Sequence, residues 1–190
     1  MADARDGGEL FVAGAWIAVA AGLVGIVALV GLYDVLKSAG PYLVFAPALA
    51  IAGLTLVTIS HFVPITIAQE VAPAFVDGGT AIKPAALLDA QTLTSVAHLA
   101  NYFGDMLLWS VVTPLYAYAI LKTKLLPRWI GWVGIVAAVF AGWLGIFSPL
   151  SSVIDGLTFP GFIAFFVFLA AVGVAVLRQK KMPAASLSPV

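Results

Sequence analysis

From Leu10 to Leu32 the chain runs for more than twenty residues without a charged side chain. A helix at a water-facing surface must show water a polar face. About 20 apolar residues rising 1.5 Å each match instead the roughly 30 Å hydrocarbon core of a bilayer. Four more long, largely apolar runs follow: Tyr42–Ile67, with Pro47 and Pro64 near its ends, then Val96–Leu121, Trp129–Phe147 and Phe159–Leu177. Turn signals separate them at Gly40-Pro41, Leu126-Pro127, Ser148-Pro149 and Asp155-Gly156. Only 9% of the 190 residues are charged and 63% are hydrophobic, whereas a soluble domain carries roughly 25% charged residues. The expected fold is therefore an all-α polytopic transmembrane helix bundle of about five spans (10–32, 42–67, 96–121, 129–147 and 159–177). A single domain over 1–181 is expected, with a Pro/Ala/Ser-rich disordered cytoplasmic tail at 182–190.

The basic residues orient these spans, because they are poorly translocated. Lys37, then Lys122, Lys124 and Arg128, then Arg178, Lys180 and Lys181 collect on one side, against Arg5 and Lys83 on the other. Strict alternation then puts the amino terminus outside and the carboxyl terminus inside. The acids Asp3, Asp6, Glu9, Glu70, Asp77, Asp89 and Asp155 all fall outside, which agrees but carries little weight. The first run follows an acidic stretch and lacks a small-residue cleavage site, so it reads as a retained span and not a signal peptide. The one long connection, 68–95, lies outside. Within it Pro84 opens a helix start, either a short interfacial helix or a watery extension of the third span.

Zero net charge argues against nucleic acid as a partner. The absence of cysteine excludes disulfides, thiolate metal sites and cysteine nucleophiles. Small residues form two ridges, Gly14, Ala18, Gly22 and Gly25 on the first span, and Gly131, Gly134, Ala138, Gly142 and Gly145 on the fourth. Spacings of three and four put each set on one face, suited to close helix contacts within the chain, to other membrane subunits, or in self-association. Trp129 and Trp132 beside Arg128 read as interfacial anchors, and Trp143 lies towards the outer end of the same span.

The polar residues inside the spans carry the candidate site. His98, Asn101, Asp105 and Trp109 are spaced three, four and four apart and share a helix face, with Tyr102 and Tyr116 close to the stripe. Thr55, Thr58, Ser60 and His61 form a patch on the second span, and antiparallel running brings His61 and His98 to comparable depths. Asp105 lies well inside the hydrocarbon, where an ionised carboxylate costs several kcal/mol. It is expected to be neutral, hydrogen-bonded or facing a watery cavity, with Asn101, His61 or a bound ligand as partner. A purely structural interhelical hydrogen bond competes with that functional reading. Two histidines at one depth also suggest a b-type haem between the spans, with Asn101 or Thr58 holding the second ring nitrogen. Two imidazoles and a carboxylate are a thin ligand set for a transition metal, so no metal site is assigned. No HExxH, phosphate-cradling glycine loop or GxSxG elbow occurs, and no catalytic residue is assigned.

The hairpin from Leu121 to Gly134, Leu121-Lys122-Thr123-Lys124-Leu125-Leu126-Pro127-Arg128-Trp129-Ile130-Gly131-Trp132-Val133-Gly134, resembles an "LPRWLGWLG"-like basic turn. That turn joins two late spans in a family of bacterial multi-pass membrane proteins filed as a domain of unknown function. The resemblance covers roughly 96–180 and implies a bacterial plasma (inner) membrane, with no activity attached. Three functions are expected in order. The first is a non-enzymatic accessory subunit or small-ligand-binding bundle. The second is a haem-b-bearing redox subunit using His61 and His98, and the third a small proton-coupled transporter using Asp105.

Overall fold

A computed structural model describes residues 8–180 of the chain. The expected tail at 182–190 and the charges Asp3, Arg5, Asp6 and Lys181 lie outside the described residues. Five helices are long and apolar enough to cross a membrane: α1 (Gly8–Ala39), α2 (Pro41–Asp77), α3 (Lys83–Thr123), α4 (Arg128–Leu150) and α5 (Ser152–Arg178). No strand occurs among the described residues. Large apolar side chains stand open on the helix surfaces, with Ile17 71% and Val27 73% exposed. A surface of that kind is satisfied by lipid, not by water.

The breaks between helices follow local chemistry. Gly40 separates α1 from α2 at φ 148°, a backbone region that side chains with a Cβ rarely enter. Pro41 then supplies the first turn of α2. At the end of α1, Lys37 Nζ lies 3.5 Å from Asp34 Oδ1 in an exposed ion pair. Between α3 and α4, Lys124 takes a left-handed conformation (φ 57°) and its N–H reaches the Ile120 carbonyl. Pro127 then leads into α4.

The connection expected over 68–95 is mostly helical. α2 passes through a π-turn at Ile67–Val71 and continues as Ala72–Asp77, and α3 starts at Lys83 with Pro84 in its first turn. The turn itself occupies only residues 78–82. Of the two sequence alternatives for Pro84, the structure adopts the extension of the third span. Hydropathy falls where side chains leave the hydrocarbon, but backbone hydrogen bonding continues past that point.

The described chain divides into two compact units. The first combines residues up to Val27 with Ile51–Asp105. In it, α2 packs on α1 at two glycines, Gly22 facing Thr58 and Gly25 facing Leu54. Trp16 meets Phe62 edge-on at 5.7 Å. The second unit combines Ala28–Ala50 with the residues from Met106 onward. Here the α4 ridge read from the sequence is a packing seam. Gly131 and Gly134 fit against Ala117 and Leu121 of α3, Gly142 against the Trp109 and Ser110 backbone, and Gly145 against Met106. Gly134 also meets Phe168 of α5, whose own Gly161 fits against the Ala141 and Phe140 backbone of α4. The buried Tyr116 hydroxyl donates to the Leu29 carbonyl at 2.7 Å, tying α3 to α1.

Candidate functional site

The sequence patch on α2 splits by direction. Thr58 is buried and turned towards Gly22 of α1, and its hydroxyl oxygen has no hydrogen-bond partner. The missing Cβ of Gly22 makes room for that oxygen. Thr55 is exposed. Ser60 is turned to α3, which runs antiparallel to α2 through this unit, and His61 bonds within α2 beside it.

The two helices touch closely. A Cβ on Gly104 would stand 2.6 Å from the Gly53 carbonyl oxygen and 2.7 Å from Val57 Cγ2, so only glycine allows this approach. One turn along α3, the approach brings Ser60 Oγ to 3.2 Å from Asn101 Oδ1. Asn101 Nδ2 then donates to Asp105 Oδ2 at 2.7 Å. Because a carboxylate accepts, the amide nitrogen faces Asp105 and the amide oxygen faces Ser60. The result is a short polar chain, Ser60–Asn101–Asp105, across the α2–α3 contact.

His61 sits at the edge of that chain. Its Nδ1 lies 2.7 Å from the Val57 carbonyl oxygen and 3.3 Å from Ser60 Oγ. A carbonyl only accepts, so Nδ1 carries the hydrogen and donates. In the neutral ring Nε2 is then left as an acceptor. Ser60 Oγ also lies 2.7 Å from Val57 O, so its single O–H is shared between that carbonyl and Asn101 Oδ1. Asp105 is half-buried. Its Oδ2 is held by Asn101, while Oδ1 has no donor among the described residues.

The structure thus brings together three of the five residues singled out from the sequence: His61, Asn101 and Asp105, with Ser60 as the link. His98 does not join them. It is exposed and makes no polar contact among the described residues. Nor does Trp109, which belongs to the second unit, where its ring meets Phe162 at 5.8 Å and Phe165 at 5.9 Å. The stripe assumed 3.6 residues per turn throughout, whereas a π-turn at Leu107–Val112 rotates everything beyond it away from the α-helical register. Trp109 Nε1 is buried without a partner.

The same geometry bears on a haem between the two histidines. The Gly104 contact and the Ser60–Asn101 hydrogen bond close the space between α2 and α3 at this depth, and His98 is turned outward. Gly104 serves the helix contact. Among the described residues no three His, Cys, Asp or Glu side chains cluster as a metal site would.

The family model described as Domain of unknown function (DUF4386) matches residues 1–178. The chain belongs to this family. The match takes in the amino-terminal half as well as the segment from 96 to 178, nearly all of that on which the sequence resemblance rested, and so includes both helices of the polar chain. No curated protein and no solved structure matches.

Proposed function

We propose that this DUF4386 protein is a non-enzymatic, small-ligand-binding bundle of a bacterial plasma membrane, with its amino terminus outside and its carboxyl terminus in the cytoplasm. Its ligand is a small cation or hydrogen-bond donor that engages Asp105 beside α2. The observation that carries the reading is the one-sided hold on Asp105: Asn101 satisfies Oδ2 and leaves Oδ1 available. An intramembrane acid costs several kcal/mol to place in lipid and is kept where it has a use. His61 adds a second acceptor at Nε2, and Ser60 fixes the amide that fixes the acid. Positive-inside alternation and the family resemblance support the orientation and the membrane.

Thermal unfolding of the purified protein in nanodiscs, with ammonium, methylammonium and tetramethylammonium as probes, tests the reading. A probe at a hundred times its Kd stabilises the folded state by about 2.7 kcal/mol. Asp105→Asn should lose the response while His98→Ala keeps it. A protein that answers none of the three probes, or an Asp105→Asn variant that answers like the parent, would remove Asp105 from ligand binding.

A further inference from the structure

A groove in the second unit opens between the start of α4 and the last three turns of α5. Its volume is about 600 Å³, within the range of sites that take drug-sized or lipid-like ligands. Leu126 and Ile130 line one wall, and Val167, Ala171 and Val174 the other. Arg178 is the one charged residue of the lining, and Pro127 and Trp129 close the same end. Eleven residues separate Val167 from Arg178, which is about 16 Å of helix at 1.5 Å per residue. That is the depth of one leaflet of a roughly 30 Å hydrocarbon core. The groove therefore has an apolar slot of acyl-chain length with a cation at its headgroup end.

Two features of that end call for an anion. Arg128 is the first residue of α4, where a cation faces the positive end of the helix dipole. Pro127, the residue before it, supplies no side-chain cap to the first N–H groups. Neither Arg128 nor Arg178 has a carboxylate partner among the described residues. A phosphate placed here would meet the Arg178 guanidinium and the uncapped start of α4 together.

We propose that this groove is a binding site for one anionic glycerophospholipid of the cytoplasmic leaflet, with an acyl chain along Ala171 and Val174 and its phosphate at Arg178. Basic pockets between transmembrane helices on that side select anionic headgroups by charge and hold the tail by apolar contact. Side-chain size sets the slot, since Ala171 leaves open what a larger residue would fill.

Native mass spectrometry of the full chain, released from nanodiscs of mixed phosphatidylglycerol and phosphatidylcholine, reads the site directly. The parent protein should retain one phosphatidylglycerol that excess phosphatidylcholine does not displace. Arg178→Gln should lower that occupancy by about tenfold or more, since charge-assisted contacts to phosphate are among the stronger ones. Ala171→Phe should abolish retention with the arginine intact. Arg178 is exposed near a helix end, so its variant should fold, and an unchanged melting temperature without phosphatidylglycerol verifies this. Equal retention of the two lipids, or an unchanged Arg178→Gln occupancy, would overturn the proposal. Displacement of the lipid by inorganic phosphate would do the same, because the acyl slot would then contribute nothing.

Discussion

Glycines of identical chemistry do different work along this chain. Gly104 lets the α3 backbone lie against Gly53 and Val57, and an added methyl group would meet backbone atoms that cannot step aside. Gly14 faces open space, with no atom within 4 Å of where its Cβ would stand. Gly104→Ala should therefore destabilise the protein by about 1–3 kcal/mol through overpacking. Gly14→Ala should be neutral or gain up to about 1 kcal/mol from helix propensity. Unfolding equilibria of both variants in the same bilayer check this, and equal effects would mean that the helix contact is misread. The sequence grouped Gly14 with Gly22 and Gly25 by spacing alone. Spacing gives a shared face but not which turns of that face meet another helix and which meet lipid. Asn101 and Asp105 were legible for the opposite reason, because an amide and an acid four residues apart in hydrocarbon have few alternatives to each other. His98 obeyed the same spacing and yet faces outward.

At the scale of elements, the prolines and π-turns explain where α-helical arithmetic stops working. Pro114 has no N–H, so the Ser110 carbonyl four residues earlier loses its helical donor. The π-turn at Leu107–Val112 adjusts the backbone just ahead of it, with the Thr113 N–H and hydroxyl both directed to the Leu108 carbonyl. Trp143 of α4 then donates its Nε1–H to the orphaned Ser110 carbonyl at 3.1 Å. Trp143→Phe should accordingly cost about 0.6 kcal/mol, the average for an interhelical bond in lipid. In a Pro114→Ala background, where residue 114 regains its own N–H, the same change should cost less. A double-mutant cycle measures the difference, and strict additivity would show that the indole does not serve the proline's missing donor. From the sequence, Trp143 is placed only towards the outer end of the fourth span, with no partner assigned. The proline is visible in one dimension, but the donor that repairs it comes from another helix. The same π-turn moves Trp109 off the stripe that the 3.6-residue period drew through His98, Asn101 and Asp105.

For the whole molecule, the count of five spans was legible because an uncharged run of twenty residues has almost no stable use outside lipid. Helix ends were not, since hydropathy reports the solvent around side chains and not the continuity of backbone hydrogen bonds. α3 has 41 residues, about twice the roughly 20 that cross the hydrocarbon core. The positive-inside rule assigns its start, with the turn at 78–82, to the outer face and its end at Thr123 to the cytoplasm. The chain carries no cysteine, so one introduced thiol is an unambiguous reporter of sidedness. Thr80→Cys in the α2–α3 turn and Ser152→Cys at the start of α5 should react with a membrane-impermeant maleimide in intact cells. Ser38→Cys, in the last turn of α1, should react only after the membrane is opened. All three positions are exposed, so accessibility in the protein does not limit the reaction. The two outer reporters test different connections, and the inner one tests the boundary that Lys37 marks. Inverted labelling at all three would reverse the orientation while keeping five spans. It would also move the mouth of the lipid groove to the outer leaflet and the approach to Asp105 to the cytoplasmic side. Labelling of Ser38→Cys and Thr80→Cys from the same side would contradict α2 as a single crossing, because these two positions flank it.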